Sequence, residues 1–98
     1  MVKHIVFWRL ADKAEGNKKE ANAAIIKERL EALNGVIPQI RALQVGINKN
    51  DGEYDLALDS VFDSMEDLKA YDQDPRHGLV REFVHKVTEA RAAVDFEF

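Results

Sequence analysis

Tyr71, Asp74 and His77 place a phenol, a carboxylate and an imidazole within seven residues of one another. An imidazole titrates near neutrality, so it can take or give a proton at physiological pH. A phenol can donate a hydrogen bond to a developing enolate or orient the imidazole. His4, near the start of the chain, adds a second imidazole if it faces the same cavity. Such groups suit proton abstraction beside a carbonyl, as in an aldol condensation, an isomerisation or a tautomerisation. Each residue also has a structural reading. Tyr71 can pack, His77 can start a helix with its ring bonded to a carbonyl, and His4 can be a satisfied core histidine. Asp74, before Pro75, can be a helix cap. His85, between Val84 and Lys86, reads as a solvated helix residue.

Other chemistries lack their residues. The chain has no cysteine, which excludes disulfides, thiol catalysis and cysteine-ligated metals and is compatible with a cytoplasmic setting. There is no glycine-rich phosphate loop, His-Glu-x-x-His pair or serine elbow. Three scattered histidines show no zinc-ligand spacing, so neither metal nor cofactor is expected. Asp63, Glu66 and Asp67 read as capping and helix-dipole charge, and Lys18, Lys19, Lys27 and Arg29 as solvated helix residues. With 18 acidic against 14 basic residues the net charge is −4, which gives no global attraction to nucleic acid or anionic membranes. No apolar run approaches the ~20 residues of a membrane helix. The first residues lack the apolar stretch and cleavage site of a signal peptide. At 98 residues, 46% hydrophobic and 33% charged, the composition fits one globular domain over residues 1–98.

The elements that must position these groups are legible in turn. Residues 2–10 are rich in β-branched and aromatic side chains and predict a strand. Val2, His4, Val6, Trp8 and Leu10 share one face; Lys3, Ile5, Phe7 and Arg9 share the other. Residues 12–17 read as a turn or helix entry. Ala23, Ile26, Leu30 and Leu33 form a helical stripe over residues 18–34, interrupted on the same side by Lys19 and Asn22 and stopped by Asn34-Gly35. Strands are predicted at 41–48 and 54–61, joined by a turn at Asp51-Gly52. The run from Asp63 to Asp67 opens a helix carrying Met65, Leu68 and Tyr71, broken at Asp74-Pro75. Leu79, Val80, Phe83, Val84 and Val87 continue at helical spacing, and a strand near 91–98 alternates Val94, Phe96 and Phe98.

The order β-α-β-β-α-β is the ferredoxin-like α+β pattern, a four-stranded antiparallel sheet with helices on one side. The first strand carries large apolar groups on both faces, so Ile5 and Phe7 would leave an exposed patch in a monomer. A second copy packing sheet against sheet covers that patch with one self-complementary surface, which predicts a homodimer through the face of Ile5 and Phe7.

Val2-Lys3-His4-Ile5-Val6, Tyr54-Asp-Leu-Ala-Leu, Phe62-Asp63-Ser64-Met-Glu-Asp-Leu68 and Tyr71-x-x-Asp-Pro75-x-His77 together resemble the Dabb family, the stress-responsive A/B barrel domain. The resemblance runs across nearly the whole chain and implies a dimeric α+β barrel. It also implies a site. A plant polyketide cyclase of this family makes olivetolic acid by intramolecular aldol condensation, without metal or cofactor. Its essential histidine resembles His77, its supporting tyrosine resembles Tyr71, and a cavity histidine resembles His4. That cyclase has histidine where this chain has Asp74. Other members share the histidine pair with no known reaction, and one plant member is a heat-stable, stress-associated oligomer. Two function classes follow. One is a cofactor-independent cyclase, lyase or isomerase acting on a small carbonyl or polyketide-like substrate. There His77 is the acid or base, Tyr71 orients it or stabilises the enolate, and His4 hydrogen-bonds the carbonyl. The other is a non-catalytic, stress-associated or small-ligand-binding barrel.

Overall fold

The computed structural model describes the whole chain, Met1–Phe98. Its elements, in order, are β1 (Val2–Leu10), β2 (Lys13–Ala14), β3 (Asn17–Lys18), α1 (Lys19–Glu31), β4 (Ala42–Ile47), β5 (Leu56–Phe62), α2 (Met65–Gln73), α3 (Pro75–Val87) and β6 (Thr88–Glu97). The four long strands form one antiparallel sheet in the order β4-β5-β1-β6. This is the ferredoxin-like α+β arrangement that the pattern predicts. β1 lies inside the sheet: Val2, Val6, Trp8 and Leu10 are buried on one face, while on the other Phe7 is exposed and Ile5 half-buried. The buried set joins Leu56, Leu58 and Phe62 of β5, Leu43 and Val45 of β4, and the inward stripes of the helices in one core.

Several boundaries differ from the sequence pattern for local reasons. Where residues 12–17 read as a turn or helix entry, the chain makes a small hairpin, with Ala14 paired to Asn17. Glu15 and Gly16 both have positive φ, 51° and 76°, as a two-residue loop of the mirror-image type demands. Asn22 explains why this hairpin docks on α1. It is fully buried; its amide donates to the Ala14 carbonyl (3.0 Å), and its own oxygen accepts from Asn17 (3.2 Å). The polar interruption of the helical stripe is therefore a tie between α1 and the hairpin.

The first helix ends at Glu31, earlier than the predicted 34. Tight turns follow it, with Leu33 bonded to the Leu30 carbonyl and Asn34 to that of Glu31, before Gly35 turns the chain at φ 77°. In α3, Val80, Val84 and Val87 are buried, but Leu79 is 70% exposed and does not join the core as its spacing suggests. Phe83 is half-buried, with the Arg29 guanidinium 4.7 Å over its ring. β6 begins at Thr88 rather than near 91, because nine-residue β1 offers it a ladder from Leu10–Thr88 to Val2–Glu97.

The two faces of the sheet, and one of its edges, are treated differently. At β4 the outward-pointing backbone groups of Val45 are satisfied by α1: Glu31 accepts from the N–H (3.0 Å) and Lys27 donates to the carbonyl (2.6 Å). Asn34 donates to the Leu43 carbonyl at 2.9 Å. That edge is closed to strand addition. The outer face is open: Phe7, Val94, Phe96 and Phe98 are exposed along it. No helix is long and apolar enough to cross a membrane.

Candidate functional site

His4 belongs to the inner face of β1 and is held from both neighbouring strands. The hydroxyl of buried Ser60, its partner on β5, donates to the His4 carbonyl at 2.9 Å. Asp95, its partner on β6, accepts a short hydrogen bond from the ring Nδ1. The His4 side chain is 13% exposed.

His77 owes its place to the break before Pro75. A residue preceding proline is driven out of the helical region, and Asp74 is extended at φ −66°, ψ 129°. Its carboxylate caps α3, accepting from the Arg76 N–H (2.8 Å) and pairing with the Arg76 guanidinium (2.7 Å). Those contacts lower its pKa to about 2, so Asp74 stays ionised and belongs to the helix start. His77 falls in the first turn of α3, with Nδ1 facing the Asp72 carbonyl at the end of α2 across 3.4 Å. One turn on, Arg81 donates to that carbonyl (3.2 Å) and to the Asp72 carboxylate (3.0 Å).

Tyr71 packs its ring against His77, with centroids 4.2 Å apart, and against Phe62 at 5.1 Å. It is 1% exposed, and its hydroxyl has no hydrogen-bond partner within the chain. Burial pushes its acidity further from neutrality, which keeps the phenol protonated.

His4 and His77 line the same cavity, of about 50 Å³. Val6, Trp8, Leu30 and Val84 supply apolar walls, and Asp72, Arg81, His85 and Arg91 supply the remaining polar ones. Tyr71 touches His77 but does not line the space. A larger concavity, about 490 Å³ and open, lies on the outer face between Phe7, Ile47 and Tyr54; it holds no histidine.

The hydrogen bonds constrain the ring tautomers. A carbonyl and a carboxylate can only accept, so each Nδ1 carries its proton, and in a neutral ring the lone pair sits on Nε2. Burial lowers the pKa of His77, and the nearby Arg81 and His4 act in the same direction; the Asp72 carbonyl and carboxylate oppose it. His77 is thus kept neutral, with a bare nitrogen, at neutral pH.

Sequence spacing missed Asp72, Arg81, Arg91 and Asp95. Asp95 had a signal: Val94, Phe96 and Phe98 alternate onto one face, which sends Asp95 to the other face with His4. His85 is exposed, as its position suggests, yet it also stands at the rim of the cavity.

The depressed His77 pKa has a defined consequence. The unfolded chain binds a proton near pH 6.5, and the native chain binds it only at lower pH. The stability contributed by the neutral ring is therefore whole above about pH 6.5 and is lost as pH falls from there through the native value. A ring-proton NMR titration should give His77 a midpoint below that of a free imidazole, and His77→Phe should flatten the stability loss below about pH 6.5 in urea unfolding. A native midpoint at or above 6.5 would contradict the burial effect.

Comparison with known proteins places this architecture. The family model described as the stress responsive A/B barrel domain, Dabb, matches residues 2–98. An uncharacterized protein of Streptomyces coelicolor is 31% identical over 104 residues, covering all of both chains. A dimeric protein of unknown function and ferredoxin-like fold from Bacteroides fragilis is 40% identical, with TM-score 0.89 over 99% of this chain and 95% of that one. The hydroxynitrile lyase of Passiflora edulis shares the fold at 17% identity and TM-score 0.78, covering 97% of this chain and 90% of its own. The chain belongs to the Dabb family.

Proposed function

We propose that the cavity between β1 and α3 is a small-molecule site for cofactor-independent proton transfer beside a carbonyl. The reading rests on one observation: two imidazoles from different elements line one space, with ring nitrogens held by acceptors and one ring kept neutral by burial. In this reading the His77 Nε2 takes a proton from the carbon next to the carbonyl. The C–H electron pair moves into an enolate, and His77 becomes the imidazolium. His4 donates from Nε2 to the enolate oxygen, which requires its charged form, and Asp95 supplies the counter-charge. Return of the proton from His77 to carbon or to a leaving group completes an isomerisation, a cyclisation or a lyase step. Tyr71 is a positioning residue here, since its ring packs on His77 while its hydroxyl stays outside the cavity. At about 50 Å³ the cavity is smaller than the roughly 300 Å³ at which ordinary ligand pockets begin, so this reading takes a short carbonyl compound and not an alkyl-bearing polyketide.

Deuterium exchange into acetone, pyruvate and acetoacetate in D2O, followed by proton NMR, tests the step without knowledge of the natural substrate. The wild type should exchange the protons beside the carbonyl faster than buffer, and His77→Ala should lose about a hundredfold of that rate. Equal rates in the two proteins would overturn His77 as the base. Ligand binding with no exchange above buffer would move the cavity to a non-catalytic binding role.

The same reading makes the protein a homodimer through the outer sheet face. The 40% identical Bacteroides fragilis protein is dimeric. Here the β4 edge is closed by α1 while Phe7, Val94 and Phe96 stand exposed on the face, beside an open groove that can seat a partner's side chains. Phe7→Glu should give monomer or aggregate by light scattering; a well-folded dimer would refute the face.

A further inference from the structure

We propose that the occupant of the cavity is a short oxo acid whose carboxylate is bound by Arg91. The inference rests on the cavity being a ligand site, and it adds the charge of the ligand. The chain as a whole is acid-rich, with 18 acidic and 14 basic residues. The cavity reverses that balance: two guanidinium groups, Arg81 and Arg91, line it against the single carboxylate of Asp72. That carboxylate is already paired with Arg81 at 3.0 Å. Asp95, just outside the lining, is engaged by His4.

The arginines sharpen the point. Arg9 pairs with Glu89 and Glu53, Arg41 with Asp63, Arg76 with Asp74 and Arg81 with Asp72. Arg29 covers the ring of Phe83. Arg91 is the one guanidinium in the chain with no carboxylate or ring partner, and it stands at the cavity. The β1–β6 ladder sets its backbone opposite Trp8, four residues along β1 from His4 on the same inner face, and leaves its side chain exposed at the cavity mouth. A guanidinium offers two parallel N–H donors that match a carboxylate, so an acid anchored at Arg91 can extend its oxo group toward the imidazoles.

NMR titration of the labelled protein with pyruvate, and with its uncharged methyl ester at matched ionic strength, tests the charge requirement. Pyruvate should shift the signals of Arg91, His4 and His77 saturably below roughly 50 mM, and the ester should bind at least tenfold more weakly. Arg91→Met should weaken pyruvate about tenfold with an unchanged melting temperature, and Arg91→Lys should restore part of the loss. If the ester binds as tightly as the acid, or if Arg91→Met binds pyruvate like the wild type, the acid requirement is overturned while the cavity reading stands. If neither probe moves the His4 or His77 signals, both are overturned.

Discussion

β6 runs antiparallel to β1 over its whole length, and that pairing decides what each side of the sheet can do. Because strand side chains alternate, one register sends Asp95 and Arg91 inward beside His4 and Trp8, and sends Val94 and Phe96 outward beside Ile5 and Lys3. A slip of one residue would put the carboxylate and the guanidinium on the apolar face and two large hydrophobic groups at the cavity. The bond from His4 to Asp95 depends on this register, and the bond from Ser60 to the His4 carbonyl depends on that of β5 with β1. The placement of His4 is thus a property of three adjacent strands.

His77 reaches the same space from the opposite wall through a different constraint. Pro75 stops α2, Asp74 restarts the helix as its cap, and His77 is left in the first turn, stacked on a tyrosine that belongs to the core. The two rings consequently differ in environment. One is bound to a carboxylate on a strand; the other is half-buried, bonded only to a peptide carbonyl, and kept neutral. In the proposed reaction such differences give two identical side chains separate roles.

Much of the fold was readable because its periodicities are strong. β1 is dense in β-branched and aromatic residues, and Asp74-Pro75 announces the joint that seats His77. What the pattern hid was set by tertiary pairing. Leu79 has helical spacing but lies outside the stripe made by Val80, Val84 and Val87. Asn22 looked like a weakness of α1 until the hairpin of Lys13–Lys18 supplied its partners. Tyr71, His77 and His4 stood out by residue type, whereas Arg81 and Arg91 look like ordinary surface charges until the sheet and α3 bring them to one cavity.

Acceptors hold both rings by Nδ1, and each ring has its own acceptor. Ring nitrogen-15 shifts measured at neutral pH in the wild type and in Asp95→Asn read out both bonds. His77 should be neutral, with a protonated Nδ1 and a bare Nε2, in both proteins, and the His4 ring shifts should change between them. A proton on the His77 Nε2, or a His4 ring indifferent to the loss of the Asp95 carboxylate, would contradict it.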